Sequence, residues 1–243
     1  MKRKQKRTPL IIALGGSVIA PRGIHISLLK KIKMLITDLS SRPGIQLIII
    51  VGGGYIAREY QHIAKKIYTR ITQKELDRLG ISATKLNAEL VRTIFGNSVH
   101  ANVITSEKEL RSAPSATLIV SGWTPGRSTD AVALRVAELV GSKEVFVAGK
   151  PDRVYDKDFA RFKNARPYAT ITWKDYRKLV PKTWKPGLPS PVDPVAAHIA
   201  QMNSIDVVVL SGNNTKNLTA ALIGKRFRGT RISNKTVTAV ARS

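Results

Sequence analysis

The chain has no cysteine among its 243 residues, which excludes disulfides, cysteine-ligated zinc and thiol catalysis. Acidic residues are scarce too: 16 Asp and Glu stand against 41 Lys and Arg, a formal charge of +25. A surplus that large repels itself unless something anionic offsets it, so a polyanionic partner, nucleic acid foremost, is a working hypothesis. Histidine is sparse, and His25, His62, His100 and His198 lack metal-ligand spacing, so no protein-borne metal site is readable. No apolar run approaches the roughly 18 to 20 residues that cross a bilayer. The basic segment Met1 to Arg7 precedes the apolar Leu10 to Leu14 and Val18 to Ala20, as in a secretory leader. Gly15-Gly16-Ser17 interrupts that run, and Pro21 follows with no convincing small-residue cleavage site. The expectation is a basic tail, residues 1–8, and then a first strand, in a cytoplasmic protein with no membrane contact.

What is present reads as α/β. Leu10 to Leu14 and Gln46 to Val51 are short continuous apolar runs of the kind that strands buried on both faces show. Each ends in glycines, Gly15-Gly16 and Gly52-Gly53-Gly54, and each is followed by helical spacing. In the first case Leu28, Leu29, Ile32, Leu35, Ile36 and Leu39 share a face; in the second Ile56, Tyr60, Ile63 and Ile67 do, with Arg58 in the first turn. A third unit runs from Thr117 to Val140. Its loop, Ser121-Gly-Trp-Thr-Pro-Gly-Arg-Ser-Thr-Asp130, puts Ser128, Thr129 and Asp130 where N-caps and first-turn acids belong. Such a loop turns backbone N–H groups and the positive end of a helix dipole toward one point, which suits a phosphate; taken alone, it serves equally well as a tight turn. Three such loops at the carboxyl edge of one sheet are far more specific than one.

Further along, Gln73 to Leu79 and Thr84 to Phe95 read as two helices separated by Gly80, Ser98 to Thr105 as a strand, and Glu107 to Ser112 as a short helix. Glu144 to Ala148 and Asp206 to Leu210 read as strands, and Trp173 to Val180 and Asn214 to Ile223 as helices. Pro181 to Pro194 reads as an exposed proline-rich loop, and Asp193 caps a helix through Gln201 with Pro194 at its first position. Gly229 to Ile232 and Thr236 to Val240 would close the chain as a hairpin. The alternation predicts a three-layer sandwich: a largely parallel central sheet with helices on both faces.

Taken together, Ala13-Leu-Gly-Gly-Ser17, Val51-Gly-Gly-Gly-Tyr-Ile-Ala-Arg58, Leu76-Asp77-Arg-Leu-Gly80, Pro125-Gly-Arg-Ser-Thr-Asp-Ala-Val132, Asp152-Arg-Val-Tyr-Asp-Lys-Asp158 and Val192-Asp-Pro-Val-Ala-Ala197 resemble the amino acid kinase superfamily, and within it the archaeal type of UMP kinase. The resemblance implies a single domain over residues 9–243, with an acceptor-nucleotide half to about residue 140 and an ATP-side half from about 141. It implies transfer of the ATP γ-phosphoryl to UMP, magnesium arriving with ATP, and assembly as a homo-oligomer, usually a hexamer. By the same resemblance Gly53, Asp77 and the loop Trp123, Thr124, Pro125, Gly126, Arg127, Ser128 and Thr129 bind UMP, with Asp77 taking the ribose hydroxyls. Gly16, Ser17, Gly54 and Arg58 serve the ATP phosphates, and Tyr155 and Asp158 lie beside adenosine. Arg58, Asp130 and Lys150 are the candidate catalytic residues.

Two departures stand out. Ala13 occupies a position where many relatives carry a lysine. The family's usual Thr-Asn-Val-Asp-Gly-Val-Tyr is here Gly149-Lys150-Pro151-Asp152-Arg153-Val154-Tyr155, so a hydroxyl and an amide are lost and a glycine becomes Arg153. Arg153 either blocks the base or points into solvent, and Lys150 is expected to act as a phosphate-side cation. The excess charge falls in three clusters: Lys2, Arg3, Lys4, Lys6 and Arg7; the Lys150 to Lys185 segment, which also holds Phe159, Phe162, Tyr168, Trp173, Tyr176 and Trp184; and Lys225, Arg226, Arg228 and Arg231. Cations interleaved with aromatics suit RNA, whose phosphates take the charge and whose unstacked bases take the rings. Against this stands a solvated basic surface over core aromatics. The alternative function is thus a kinase-fold protein, catalytically weak or inactive, that binds RNA or the ribosome.

Overall fold

The structure, a computed structural model, describes residues 7–114, 116–183 and 190–235. Strands β1 (Thr8–Leu14) and β2 (Ile45–Val51) pair in parallel over seven residues, Thr8 opposite Ile45 and Leu14 opposite Val51. β3 (Leu118–Val120) extends the sheet beyond β2, while β4 (Glu144–Gly149) and β6 (Asp206–Ser211) extend it beyond β1, all in parallel. β7 (Thr230–Ser233) lies antiparallel to β6, and β5 (Thr170–Thr172) pairs in parallel with β7 at the far edge. The order is β3-β2-β1-β4-β6-β7-β5.

The continuous apolar runs divide by a period of two, as the pleat requires. Ile11, Ala13, Ile48, Ile50, Val145, Val147, Val207 and Val209 face one core; Ile12, Leu14, Leu47, Ile49, Val51, Phe146, Val208 and Leu210 face the other. The first core is covered by α6 (Thr129–Val140), α7 (Trp173–Leu179) and α8 (Pro194–Met202). The second is covered by α1 (Gly16–Ile19), α2 (Ile26–Ser41), α4 (Gln73–Phe95) and α9 (Thr215–Leu222). α3 (Gly54–Ile67) packs on α4, and α5 (Glu107–Ser112) on α6. The expected three-layer sandwich is the fold observed.

Two local expectations change. α4 is one helix of 23 residues rather than two. It starts from a capping box in which Thr72 and Glu75 satisfy each other's backbone N–H, and it runs straight through Gly80. A Cβ at Gly80 would lie 2.8 Å from Nε2 of Gln61 on α3, whose amide donates to Leu76 O, so the glycine lets two helices approach rather than ending one. Ser98 to Thr105 forms no strand; it lies along the β3 edge, where Ile104 makes a single bridge to Val120 and His100 N–H donates to Thr117 O. β5, only three residues long, carried no readable periodicity. β7 pairs with β6 and β5, while Thr236 to Val240, the tail Met1 to Lys6 and Trp184 to Pro189 lie outside the described residues.

Glycine chemistry at two sites gives opposite expectations. Gly16→Ala places a Cβ 1.9 Å from Gly54 N, against backbone that cannot swing away. It is expected to cost about 3 kcal/mol, roughly 6–12 °C in melting temperature. Gly80→Ala displaces only the end of Gln61; the lost hydrogen bond, about 1 kcal/mol, offsets a helix-propensity gain of similar size, and the melting temperature stays within about 3 °C. Thermal melts of both variants check this.

Candidate active site

The strand-end loops meet through backbone. Gly15 N–H donates to Ala148 O, and Gly52 N–H to Leu14 O, which holds the ends of β1, β2 and β4 level. Beyond them Gly16 and Gly52–Gly54 pack with no room for side chains: a Cβ at Gly52 would meet Gly16 N at 2.4 Å, and one at Gly54 would meet Gly16 O at 2.5 Å. Gly54 also takes φ +67°, which L side chains rarely adopt. These glycines are required first by one another. Gly53 begins α3 without a side-chain cap, and Arg58, exposed in the first turn, has no acidic partner among the described residues.

α4 positions both acceptor-side loops. Asp77, Thr84 and Asn87 fall at i, i+7 and i+10, on one helix face, and all three are buried. Asn87 Nδ2 donates to the carbonyls of Gly52 (2.9 Å) and Gly53 (3.0 Å). Thr84 Oγ1 accepts from Gly122 N–H at 2.8 Å, and Asp77 Oδ2 accepts from Gly126 N–H at 2.6 Å while Gln73 Nε2 donates to Oδ1. Reading α4 as two helices hid this stripe. Only a continuous helix brings the three residues onto one line, and that period was the signal available.

The loop 121–130 forms between β3 and α6, as expected, and the N–H groups of Ser121, Gly122, Gly126 and Asp130 are taken up inside the protein. Gly122 and Gly126 point at α4, and Ser128 Oγ caps α6 by accepting from Asp130 N–H (3.1 Å) and Ala131 N–H (3.0 Å). Left for an anion are the backbone N–H groups of Trp123, Thr124, Arg127 and Ser128, which make no hydrogen bond among the described residues, the exposed Arg127 side chain, which makes no ion pair among them, and the buried Trp123 indole N–H, which finds no acceptor among them. Thr124 is exposed, Pro125 and Thr129 partly so.

The Ser128 hydroxyl also donates to Asp193 Oδ2. Asp193 caps α8 through Val195 N–H (2.7 Å) and Ala196 N–H (3.1 Å), so this bond ties the starts of α6 and α8 together. Asp130 stands beside them. It is half-buried, and the protein packed around it, reinforced by the nearby Asp193 charge, pushes its pKa up to about 8. Behind the pair, Tyr176 donates to Val192 O from a fully buried position.

The ATP-side residues do not gather as closely. Lys150 is exposed and lacks an acidic partner among the described residues, and Ser17 is half-buried in α1. Arg153 does not point freely into solvent: it is half-buried, and its Nε is buried with no acceptor. Tyr155 and Asp158 are drawn into a separate turn, where Tyr155 donates to Asp152 and Asp158 accepts from Ala160 N–H. Ala13 sits in the core between Ile50 and Val147, leaving no cation at that position. Among the described residues, no group of three or more His, Cys, Asp or Glu could hold a metal.

The raised pKa of Asp130 gives a signed pH expectation. Folded, it keeps its proton to about pH 8; unfolded, it releases it near 3.9. The native state therefore binds more protons across that window, and this group's contribution to stability falls as pH rises through it. Asp130→Asn cannot lose a proton, so its melting temperature relative to the unaltered protein is expected to climb between pH 4 and pH 8. A constant difference across that range would show that the carboxyl is not desolvated.

The amino acid kinase family profile matches residues 8–211. A uridylate kinase of Hyperthermus butylicus is 32% identical over 221 residues, covering 90% of this chain and 96% of its own length. A uridylate kinase of Methanococcoides burtonii is 28% identical over 227 residues, covering 92% and 95%. The crystal structure of uridylate kinase from Archaeoglobus fulgidus superposes with a TM-score of 0.78 at 26% identity, over 92% of this chain and 99% of that one. With the glycine-locked strand ends and the α4-bound loop already in place, the conclusion is that this chain belongs to the amino acid kinase family.

Proposed function

We propose that the protein transfers the γ-phosphoryl group of ATP to UMP, yielding UDP and ADP. The observation that carries this reading is the loop 122–128, held by Asp77 and Thr84 at the carboxyl edge of the sheet with Arg127 and an unsatisfied Trp123 N–H left for a ligand. The likeness to uridylate kinases over nine-tenths of the chain supports the choice of acceptor.

Phosphoryl transfer asks for in-line positioning and charge stabilisation, with little covalent chemistry from the protein. Arg58 and Arg127, neither in an ion pair among the described residues, would bind phosphate oxygens, Arg58 those of ATP and Arg127 those of UMP. Asp77 already accepts two hydrogen bonds; a carboxylate offers about four lone-pair sites, so ribose hydroxyls would share it with Gly126. The donor side suits a polyphosphate, which would bring its magnesium with it: Arg153 Nε lacks an acceptor among the described residues. When bound, Mg2+ on the phosphates neutralises charge that develops in transfer. Asp130, with Ser128 and Asp193 fixing the helix starts around it, would hold the donor end against the acceptor loop. Lys150 would add a flexible cation there.

The reading extends to assembly with further copies of the chain, since α3 leaves Tyr60, Ile63 and Ile67 at 56%, 42% and 82% exposure along one face. Ile63→Asp with Ile67→Asp is expected to lower the mass seen by light scattering; an unchanged mass would remove this face from the interface.

A coupled ADP-release assay on nuclease-treated, salt-washed protein tests the activity, with UMP and CMP as acceptors. UMP-dependent turnover is expected, and none with any nucleoside monophosphate would overturn the reading. Arg58→Ala is expected to lower kcat by roughly 100-fold or more, the scale of one lost transition-state donor. Lys150→Ala is expected to raise the KM for ATP several-fold while leaving that for UMP; no change would make Lys150 a surface charge alone.

A further inference from the structure

Two of the basic clusters, some seventy residues apart in sequence, converge on one face. The segments 150–169 and 225–231 together hold ten Lys or Arg against three Asp. They are stitched at their base: Val154 N–H donates to Thr230 Oγ1 (2.9 Å), the Thr230 hydroxyl donates to Tyr168 O, Arg231 N–H to Ala169 O (3.0 Å), and Arg228 pairs with Asp152 (3.0 Å). Both segments leave the sheet at the same end, since β7 runs against β6 with Thr230 opposite Val209. Lys163, Arg166, Lys225 and Arg226 are exposed there with no acidic partner among the described residues.

The chain between the bridged residues Tyr155 and Pro167 folds into a turn closed by its own backbone. Asp156 N–H donates to Arg166 O, Phe162 N–H to Asp158 O, and Ala165 N–H to Phe162 O. This turn carries Phe159 and Phe162 outward, at 47% and 49% exposure. Phe159 lies against Tyr155 with ring centroids 4.9 Å apart, and Lys157 Nζ sits 5.5 Å from the centre of the Phe162 ring. The other aromatics of the segment behave differently: Trp173 and Tyr176 are core residues with no exposed surface, which removes them from any binding role. Two rings are thus presented among uncompensated cations on a hydrogen-bonded turn.

We propose that this turn and the 225–231 segment form a binding surface for single-stranded nucleic acid, with Phe159 and Phe162 stacking on unpaired bases and Lys163, Arg166, Lys225 and Arg226 meeting the phosphates. An ordinary solvated surface would have no use for the rings. An anionic membrane would meet the charge, but two rings on a rigid turn offer it little apolar area. A single strand uses both, because every unstacked base has a π-face and every linkage a charge. The surface lies outside the loops assigned to UMP but shares Tyr155 and Asp158 with the expected adenosine side, so its test reads nucleic-acid binding directly and is scored apart from phosphoryl transfer.

The test is fluorescence anisotropy on the full chain with labelled 12-nucleotide U-rich RNA and the DNA oligomer of the same sequence. For about four phosphate contacts, affinity is expected to fall roughly 50-fold between 50 and 200 mM salt. Phe159→Ala with Phe162→Ala is expected to weaken single-strand binding about tenfold or more with the salt slope unchanged, for RNA, DNA or both. Lys163→Glu with Arg166→Glu is expected to flatten the slope. All four side chains are exposed, and melting curves confirm that the variants fold. Binding unchanged by the Phe pair, equal loss toward duplex RNA, or stronger binding to phosphatidylserine vesicles than to either oligomer would overturn the proposal.

Discussion

The structure depends on one close approach: the chain leaving β1 and the chain leaving β2 touch backbone to backbone. Gly16 stands so near Gly52 and Gly54 that a single methyl group on any of them would overlap main-chain atoms. Because β1 and β2 are adjacent and parallel, with Leu14 level with Val51, this contact fixes where α1 and α3 start. Two helix N-termini are thereby brought to one place at the sheet's carboxyl edge, where open parallel sheets hold ligands.

α4 supplies the second half of that architecture. A helix that runs unbroken past Gly80 can present Asp77, Thr84 and Asn87 in a line, and those three side chains bind the loops after β2 and β3. The consequence for chemistry is a change in what does the anion binding. Two loop N–H groups are taken by α4 and one by Ser128, so an anion is left the remaining backbone N–H groups together with an arginine side chain and an indole N–H. The same economy explains Asp130. Half-buried and beside the Asp193 charge, its carboxyl pKa is pushed up to about 8.

Charge is distributed unevenly around this site. The acceptor side balances much of its own: Arg135 pairs with Glu107 and Glu138 on the outside of α5 and α6. Part of the excess gathers at the β5/β7 end, where the two basic segments are joined through Thr230 and Arg228. Folding thus brings ten of the 41 Lys and Arg, with three Asp, together on one local surface.

Sequence alone determined the parts set by local physics. Continuous apolar runs of five or six residues could be nothing but strands buried on both faces, and their alternation with helical periods dictated a parallel three-layer sandwich. Ser128 and Asp193-Pro194 were legible as helix starts because capping is a relation between neighbours. Tertiary structure decided whatever depended on distant partners. Gly80 looked like a break because its reason is Gln61 on another helix; Ser98 to Thr105 had strand-like residues but only a short edge to lie against. Trp173 and Tyr176 were indistinguishable from Phe159 and Phe162 as aromatics among cations, until burial in the core claimed the first pair and the turn exposed the second. Local preference writes the elements, whereas the purpose of a glycine, an aromatic or an arginine is fixed only by what the fold places opposite it.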